Sequence, residues 1–139
     1  MFAFSARSIE RLQQVHPDLA RCAHRAISLT TNDFGITCGL RCTEEQAHLF
    51  KTGKSEILKS LHLKQPTGYA HAIDILAYKK NNATWENRFY GPIIQAFITA
   101  AIDLKIQLQF GHLWETFAKG NRPDSVHIQL NSHYYESNL

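Results

Sequence analysis

Apolar residues recur along this chain with two periods, and each period marks a kind of element. From Ser5 to Val15, Ile9, Leu12 and Val15 return at helical spacing, with Ser5 or Ser8 available as a cap. Pro17 opens a second helix, because proline suits a first turn and Asp18 favours the positive end of the macrodipole. Leu19, Cys22, Ala23, Ala26 and Ile27 give that helix an apolar face, and His16 and His24 are expected as exposed polar residues. Thr30 to Asp33 supplies turn chemistry, after which Phe34 to Arg41 alternates as a strand. Thr43 caps the next predicted helix, with Gln46 at the capping-box position, and Ala47, Leu49 and Phe50 carry it to Gly53.

Beyond that helix the period shortens. Lys54 to Leu63 is basic and only briefly periodic, and Gln65 to Gly68 breaks it as a loop. Ala70 to Ala77 reads as a buried strand in which Asp74 shares a face with Ala70 and Ala72, while His71 and Ile73 point the other way. Lys79 to Thr84 is expected as a polar turn. From Glu86 or Asn87 to Leu104 the spacing of Ile93, Ile94, Phe97, Ala100 and Ala101 predicts the main core helix, with Pro92 in or near its first turn. Ile106 to Phe110 and Val126 to Leu130 alternate as strands. Between them lies a loop holding Trp114 and Phe117, whose plain reading is packed aromatics and whose other reading is the wall of a groove. The tail from Asn131 to Leu139 is expected to fray or pack peripherally.

Composition narrows the class without naming it. A chain of 139 residues with 44% apolar content suits a single folded domain over residues 1–139. No apolar run approaches the roughly 18 residues a membrane span needs. The N-terminus lacks a basic and apolar leader pattern, since Arg7 and Glu10 interrupt it, so no signal peptide is expected. A net charge of +3 suits loose attraction to nucleic acid or to bacterial wall polymer alike. Dispersed basic residues and the lack of a recognition-helix or finger pattern argue against nucleic acid. The three cysteines are odd in number and form no CxxC pair, which favours reduced thiols, with Cys22 and Cys38 read as buried.

The candidate chemistry is metal chemistry. The stretches Ser60-Leu61-His62, His71-Ala72-Ile73-Asp74 and Asp124 to Leu130 together offer two imidazoles and a carboxylate, and three such ligands with a fourth position open to water are what a catalytic zinc site needs. Asp124, three residues before His127, is a second carboxylate able to act as a base. Spacing alone does not establish the site, because His and Asp fall near one another by accident in a chain with eight histidines. Arg41, at a strand end before a capped helix, suits either bidentate capture of a substrate carboxylate or a structural ion pair.

The motifs taken in order are more specific. Gly39-Leu40-Arg41 with Glu45-Gln46, Ser60-x-His62, His71-Ala72-Ile73-Asp74, Trp114 and Asp124-x-x-His127-x-Gln129-Leu130 occur in sequence. That order resembles the zinc peptidase family of D-alanyl-D-alanine carboxypeptidases and L-alanyl-D-glutamate endopeptidases, most of all its small phage endolysins. The resemblance spans roughly residues 5 to 130. It implies an α+β fold of the hedgehog and D-Ala-D-Ala peptidase type, a small antiparallel sheet carrying a zinc site and packed against helices. It further implies that His62, Asp74 and His127 bind Zn2+, that Asp124 is the catalytic base, and that Arg41, Ser60 and Trp114 contact substrate.

The family usually spaces its first two ligands as His-x6-Asp, whereas eleven residues separate His62 from Asp74 here. A five-residue insertion around Lys64-Gln65-Pro66 and Tyr69-Ala70 reconciles the two, and loops accept insertions at roughly 0.6 kcal/mol per doubling of length. The ungapped alternative puts Thr67, a poor zinc ligand, in the place of His62, and His71 is the other candidate ligand, although strand alternation turns it away from Asp74. His112-Leu113 stands where many relatives carry Gly-Asp before the Trp. The implied function is zinc-dependent hydrolysis of the peptidoglycan stem peptide at the L-alanyl-D-glutamate bond by a monomer. Such a lysin would be made in the host cytoplasm and released to the cell wall. The alternatives are a D-alanyl-D-alanine carboxypeptidase and a non-catalytic wall-binding module of the same fold.

Overall fold

In a computed structural model, which describes residues 1–53, 60–111 and 127–137, the first regular element starts where Ser5 Oγ accepts a hydrogen bond from the Ser8 N–H at 3.2 Å. This pairs one of the donors that every helix start leaves open. Helix α1 covers Ala6–Leu12 and α2 covers Pro17–Leu29, with Pro17 in the first turn. The cap of α2 is His16, whose Nδ1 accepts from the Asp18 N–H at 3.0 Å. His16 is therefore half-buried at a helix start rather than an exposed polar residue, while His24 is exposed as expected.

Strand β1 covers Phe34–Cys38 and stops short of Arg41. Helix α3, Thr43–Lys51, is capped by the Cys42 thiol, which accepts from the Glu45 N–H at 3.4 Å, and not by Thr43. The capping-box reading of Gln46 also fails: its side chain is fully buried and takes a hydrogen bond from Arg41 at 3.0 Å. Strand β2 covers Ala72–Lys79 and β3 covers Asn82–Thr84. The polar stretch expected as a turn is thus a hairpin, with Lys80 and Asn81 at φ 49° and 69° forming the two-residue bend between the strands. Two successive positive φ values match the twist of a tight hairpin.

A 3-10 turn over Asn87–Phe89 precedes α4, Gly91–Leu104, whose first turn contains Pro92. Strands β4, Leu108–Phe110, and β5, His127–Leu130, follow, and α5 covers Ser132–Ser137. Tyr135 of α5 packs against the core and donates its hydroxyl to Asp18 at 2.7 Å, so this part of the tail is anchored.

The strands form one antiparallel sheet in the order β1-β2-β5-β4, with β3 added to β2. Alternation sorts its two faces. Phe34, Ile36, Ile73, Ile75, Ala77, Ile128 and Leu130 join the core with Leu19, Cys22, Ala23 and Ala26 of α2 and with Ile93, Phe97 and Ala100 of α4. Ala72, Asp74, His127, Gln129 and Gln109 lie at the alternate positions and share the other face. The α+β expectation holds: helices cover one side of the sheet, and the other side carries the polar residues. No helix among the described residues is long and apolar enough to cross a membrane.

Candidate metal centre

Strand register builds the first part of this site. Asp74 on β2 pairs with Cys38 of β1 on one side and with His127 of β5 on the other, so the three residues form a row across the sheet. Cys38 joins that row because the β1–β2 register slips between Ile36 and Cys38. Such a bulge inserts one residue and re-aims those that follow it. Without the slip, Cys38 would share the core-facing parity of Ile36.

His62 comes from the loop before β2, and its backbone is held from both sides. Its N–H donates to Ser60 Oγ at 3.1 Å, and its carbonyl accepts from the Arg41 N–H at 2.7 Å. The longer connection to Asp74 is closed rather than open. Gln65 N–H bonds the Tyr69 carbonyl, Gln65 Nε2 bonds the Leu63 carbonyl, and Gly68 supplies the positive φ of 90° that the turn requires. This loop is where the sequence reading located its five-residue insertion.

The side chains then converge on one oxygen. His62 Nε2 lies 3.2 Å and His127 Nδ1 3.4 Å from Asp74 Oδ1. The second oxygen, Oδ2, faces an Arg41 guanidinium nitrogen at 3.3 Å. Each imidazole is also held by its far nitrogen: His62 Nδ1 is 2.8 Å from the Gly39 carbonyl, and His127 Nε2 is 2.8 Å from Gln129 Oε1. Both far partners are acceptors, so each ring carries its N–H outward and turns a lone pair toward Asp74 when neutral.

Two lone pairs and a carboxylate oxygen facing one another need a cation between them or protons on the rings. The charge balance expresses the same demand. Burial works against ionisation of Asp74, yet hydrogen bonds with His127 and His62 and their charges hold its carboxyl well below the usual range. Burial likewise opposes the charged form of His62, but bonds to Asp74 and Cys38 outweigh it, and its imidazole is pushed up to about 10. A metal ion can take the place of those protons. Ligands about 2.0–2.1 Å from a tetrahedral ion stand about 3.3 Å apart. The spacing of each imidazole to Asp74 Oδ1, 3.2 and 3.4 Å, fits that figure, while among the described residues the trio whose donor atoms all lie within 4.8 Å of one another is Cys38, His62 and Asp74. The donor set therefore suits a metal.

Residues 1–133 match the phage L-alanyl-D-glutamate peptidase family. The chain belongs to this family. It is 31% identical over 126 residues to the L-alanyl-D-glutamate peptidase of Escherichia phage T5, covering 90% of this chain and 89% of the relative. Its fold is similar to the crystal structure of the Serratia marcescens L-Ala D-Glu endopeptidase ChiX, with a TM-score of 0.81 and 33% identity over 96% of this chain and 93% of the other. The peptidase resemblance read from the ordered motifs is thus borne out for family and fold.

Of the residues singled out in the sequence of this family member, His62, Asp74 and His127 meet, and Arg41 borders them. Ser60 is buried beside them, its hydroxyl engaged by the His62 backbone. Asp124 and Trp114 lie outside the described residues. His71 is turned away from Asp74, as strand alternation suggested, and bonds Thr67 Oγ1 at 2.7 Å through Nε2. Cys38 is a correction: its thiol is half-buried, 3.6 Å from His62 Nδ1, rather than lost in the core. Among the described residues, Cys38, His62 and Asp74 bring donor atoms within 4.8 Å of one another.

Gln109, Gln46 and the Gly39 carbonyl were missed as parts of the site. The polar positions of the strand ending at Phe110 carried a signal for Gln109, since they alternate with buried Ile106 and Phe110. Nothing in the sequence marks the Gly39 carbonyl.

Proposed function

We propose that this chain is a zinc-dependent peptidoglycan endopeptidase that hydrolyses the stem peptide between L-alanine and D-glutamate, acting as a phage endolysin in host lysis. The observation that carries the reading is the meeting of His62 Nε2 and His127 Nδ1 at Asp74 Oδ1, with the far side of each ring on an acceptor. The activities named for the T5 and Serratia relatives supply the bond and the polymer. Zinc suits two imidazoles and one carboxylate with a coordination position left open. When bound, zinc lowers the pKa of water to roughly 7 and polarises a carbonyl.

The chain's own residues have distinct parts in this reading. His62, Asp74 and His127 hold the ion, and Arg41 keeps Asp74 Oδ2 occupied so that Oδ1 remains the ligand atom. Asp124 takes a proton from the attacking water and returns it to the leaving amine. Arg41 spends one guanidinium N–H on Gln46 and one on Asp74, and its remaining N–H groups are available to a stem-peptide carboxylate. Ser60 and Trp114 complete the substrate contacts.

Digestion of purified peptidoglycan, followed by mass analysis of the products, tests the proposal. The expected products are peptides with a free D-glutamate amine, together with glycan that retains L-alanine. Release of free D-alanine alone would indicate a carboxypeptidase instead. Binding to the wall without new amines, or digestion unchanged by zinc chelation, would reject the metallopeptidase reading.

A further inference from the structure

We infer that Gln129 and Gln109 are positioning residues for the metal centre, fixing the tautomer of His127 so that its Nδ1 lone pair, and not an N–H, faces Asp74. The inference rests on the proposed role of His127 as a metal ligand. A neutral imidazole carries one N–H, and the partner of one nitrogen decides which nitrogen has it. His62 answers to the Gly39 carbonyl, an acceptor that cannot become a donor. His127 answers to a primary amide, which can present either its oxygen or its NH2 to the ring. Something must therefore set the direction of Gln129.

The strand pairing supplies that control. Gln129 and Gln109 are register partners across β5 and β4, and Gln129 Nε2 donates to Gln109 Oε1 at 2.8 Å. The same Gln109 oxygen accepts from the Ser132 backbone N–H at 3.4 Å. A backbone N–H only donates, so it holds Gln109 with its oxygen toward α5. That oxygen then requires the NH2 of Gln129, and the Gln129 oxygen is left for His127 Nε2 at 2.8 Å. On its other side Gln129 pairs with Ala72, whose methyl leaves the amide room to lie along the sheet. The start of α5 thus sets a hydrogen-bond polarity that ends at the site.

The test uses the full chain, with zinc affinity measured by chelator competition and the protonated nitrogen of each imidazole read from nitrogen-15 NMR of the zinc-loaded protein. The wild type is expected to hold His127 as the Nε2–H form. Gln129→Met, which keeps the length and loses both amide groups, is expected to bind zinc roughly 10- to 100-fold more weakly and to mix the two tautomers. The His62 tautomer should not change. Gln129→Glu, which keeps an acceptor on Nε2, should restore most of the affinity, and Gln109→Met should show a smaller loss of the same kind.

Should Gln129→Met fail to fold by circular dichroism, Gln109→Met, one step further from the ring, carries the test. A wild-type His127 in the Nδ1–H form, or glutamine variants with wild-type tautomer and affinity, would overturn the inference. A wild type that takes up no zinc would defeat the metallopeptidase reading, whereas zinc uptake with His127 in the Nδ1–H form would defeat this inference alone.

Discussion

Gly39→Ala probes the coupling between fold and site at a single methyl group. A Cβ at position 39 would lie 2.9 Å from the backbone oxygen of Arg11 and 3.1 Å from Val15 Cγ1. The first contact is with main chain at the end of α1, and Arg11 also donates to the Ile36 carbonyl at 2.7 Å, which ties that helix to β1. Neither side can retreat freely, and relieving such overpacking costs about 1–3 kcal/mol. Alanine recovers about 0.4–1 kcal/mol through the unfolded chain, leaving a net loss of roughly 0.5–2 kcal/mol. At about 3 °C per kcal/mol for a chain of this size, the melting temperature should fall by about 2–6 °C. The Gly39 carbonyl must shift with its residue, and it is the partner of His62 Nδ1, so zinc affinity should fall as well. Thermal unfolding under chelation, followed by zinc titration, separates the two effects. A variant that melts at or above the wild-type temperature and binds zinc equally well would refute the argument that close approach at Gly39 positions His62.

Four further outcomes follow from the same physical picture. Ile73 is fully buried between Ala72 and Asp74. Urea unfolding should therefore show losses of about 0.5–1.5 kcal/mol for Ile73→Val and about 2–5 kcal/mol for Ile73→Ala. Burial opposes ionisation of Asp18, but hydrogen bonds from Tyr135 and Arg21 outweigh it and lower its pKa from 3.8. That contribution to stability is complete above pH 3.8 and is lost as pH falls through the lower folded value. Tyr135→Phe should therefore cost about 1 kcal/mol near neutrality, and its deficit in urea unfolding should shrink when measured in acid below the unfolded pKa. His62→Ala should fail to retain zinc by metal analysis. Asp124→Ala should retain zinc but yield no muropeptide fragments, and an unaltered digestion rate would remove Asp124 from the mechanism.

What could be read from the sequence was whatever depends on period. The two-residue alternation of Ala70 to Ala77 correctly separated Asp74 from His71, and helical spacing located α2 and α4 around Pro17 and Pro92. What could not be read depends on places where the period is broken or where main chain meets main chain. The bulge after Ile36 reverses the parity of β1, so Cys38 could not be assigned to the site face from its spacing. Lys80 and Asn81 adopt positive φ without a glycine to announce it, which hid the β2–β3 hairpin inside a polar run. Gln46 has the spacing of a capping box, but burial against Arg41 outweighed the local bond it could have made. Resemblance, not spacing, singled out His62 and His127 among eight histidines, and pairing of β5 with β2 is what brings His127 to Asp74.

The neighbouring thiol sets up a competition between two donor sets. Cys38, His62 and Asp74 form one possible donor trio, and His62, Asp74 and His127 form another. Cys38 Sγ approaches His62 at Nδ1, 3.6 Å away, whereas Asp74 Oδ1 approaches it at Nε2, 3.2 Å away. One ion cannot use both nitrogens of a ring, because their lone pairs diverge. An ion held by Cys38 through Nδ1 would displace the 2.8 Å bond of that nitrogen to the Gly39 carbonyl. An ion at Nε2 leaves that bond in place, and this favours the proposed trio with His127. Cobalt substitution distinguishes the two, since a coordinated thiolate adds a ligand-to-metal charge-transfer band in the near ultraviolet. The cobalt-loaded protein should lack that band, and Cys38→Ser should leave its visible spectrum and its zinc affinity close to wild type. A thiolate band that disappears in Cys38→Ser would make Cys38 a ligand and overturn a coordination sphere built without it.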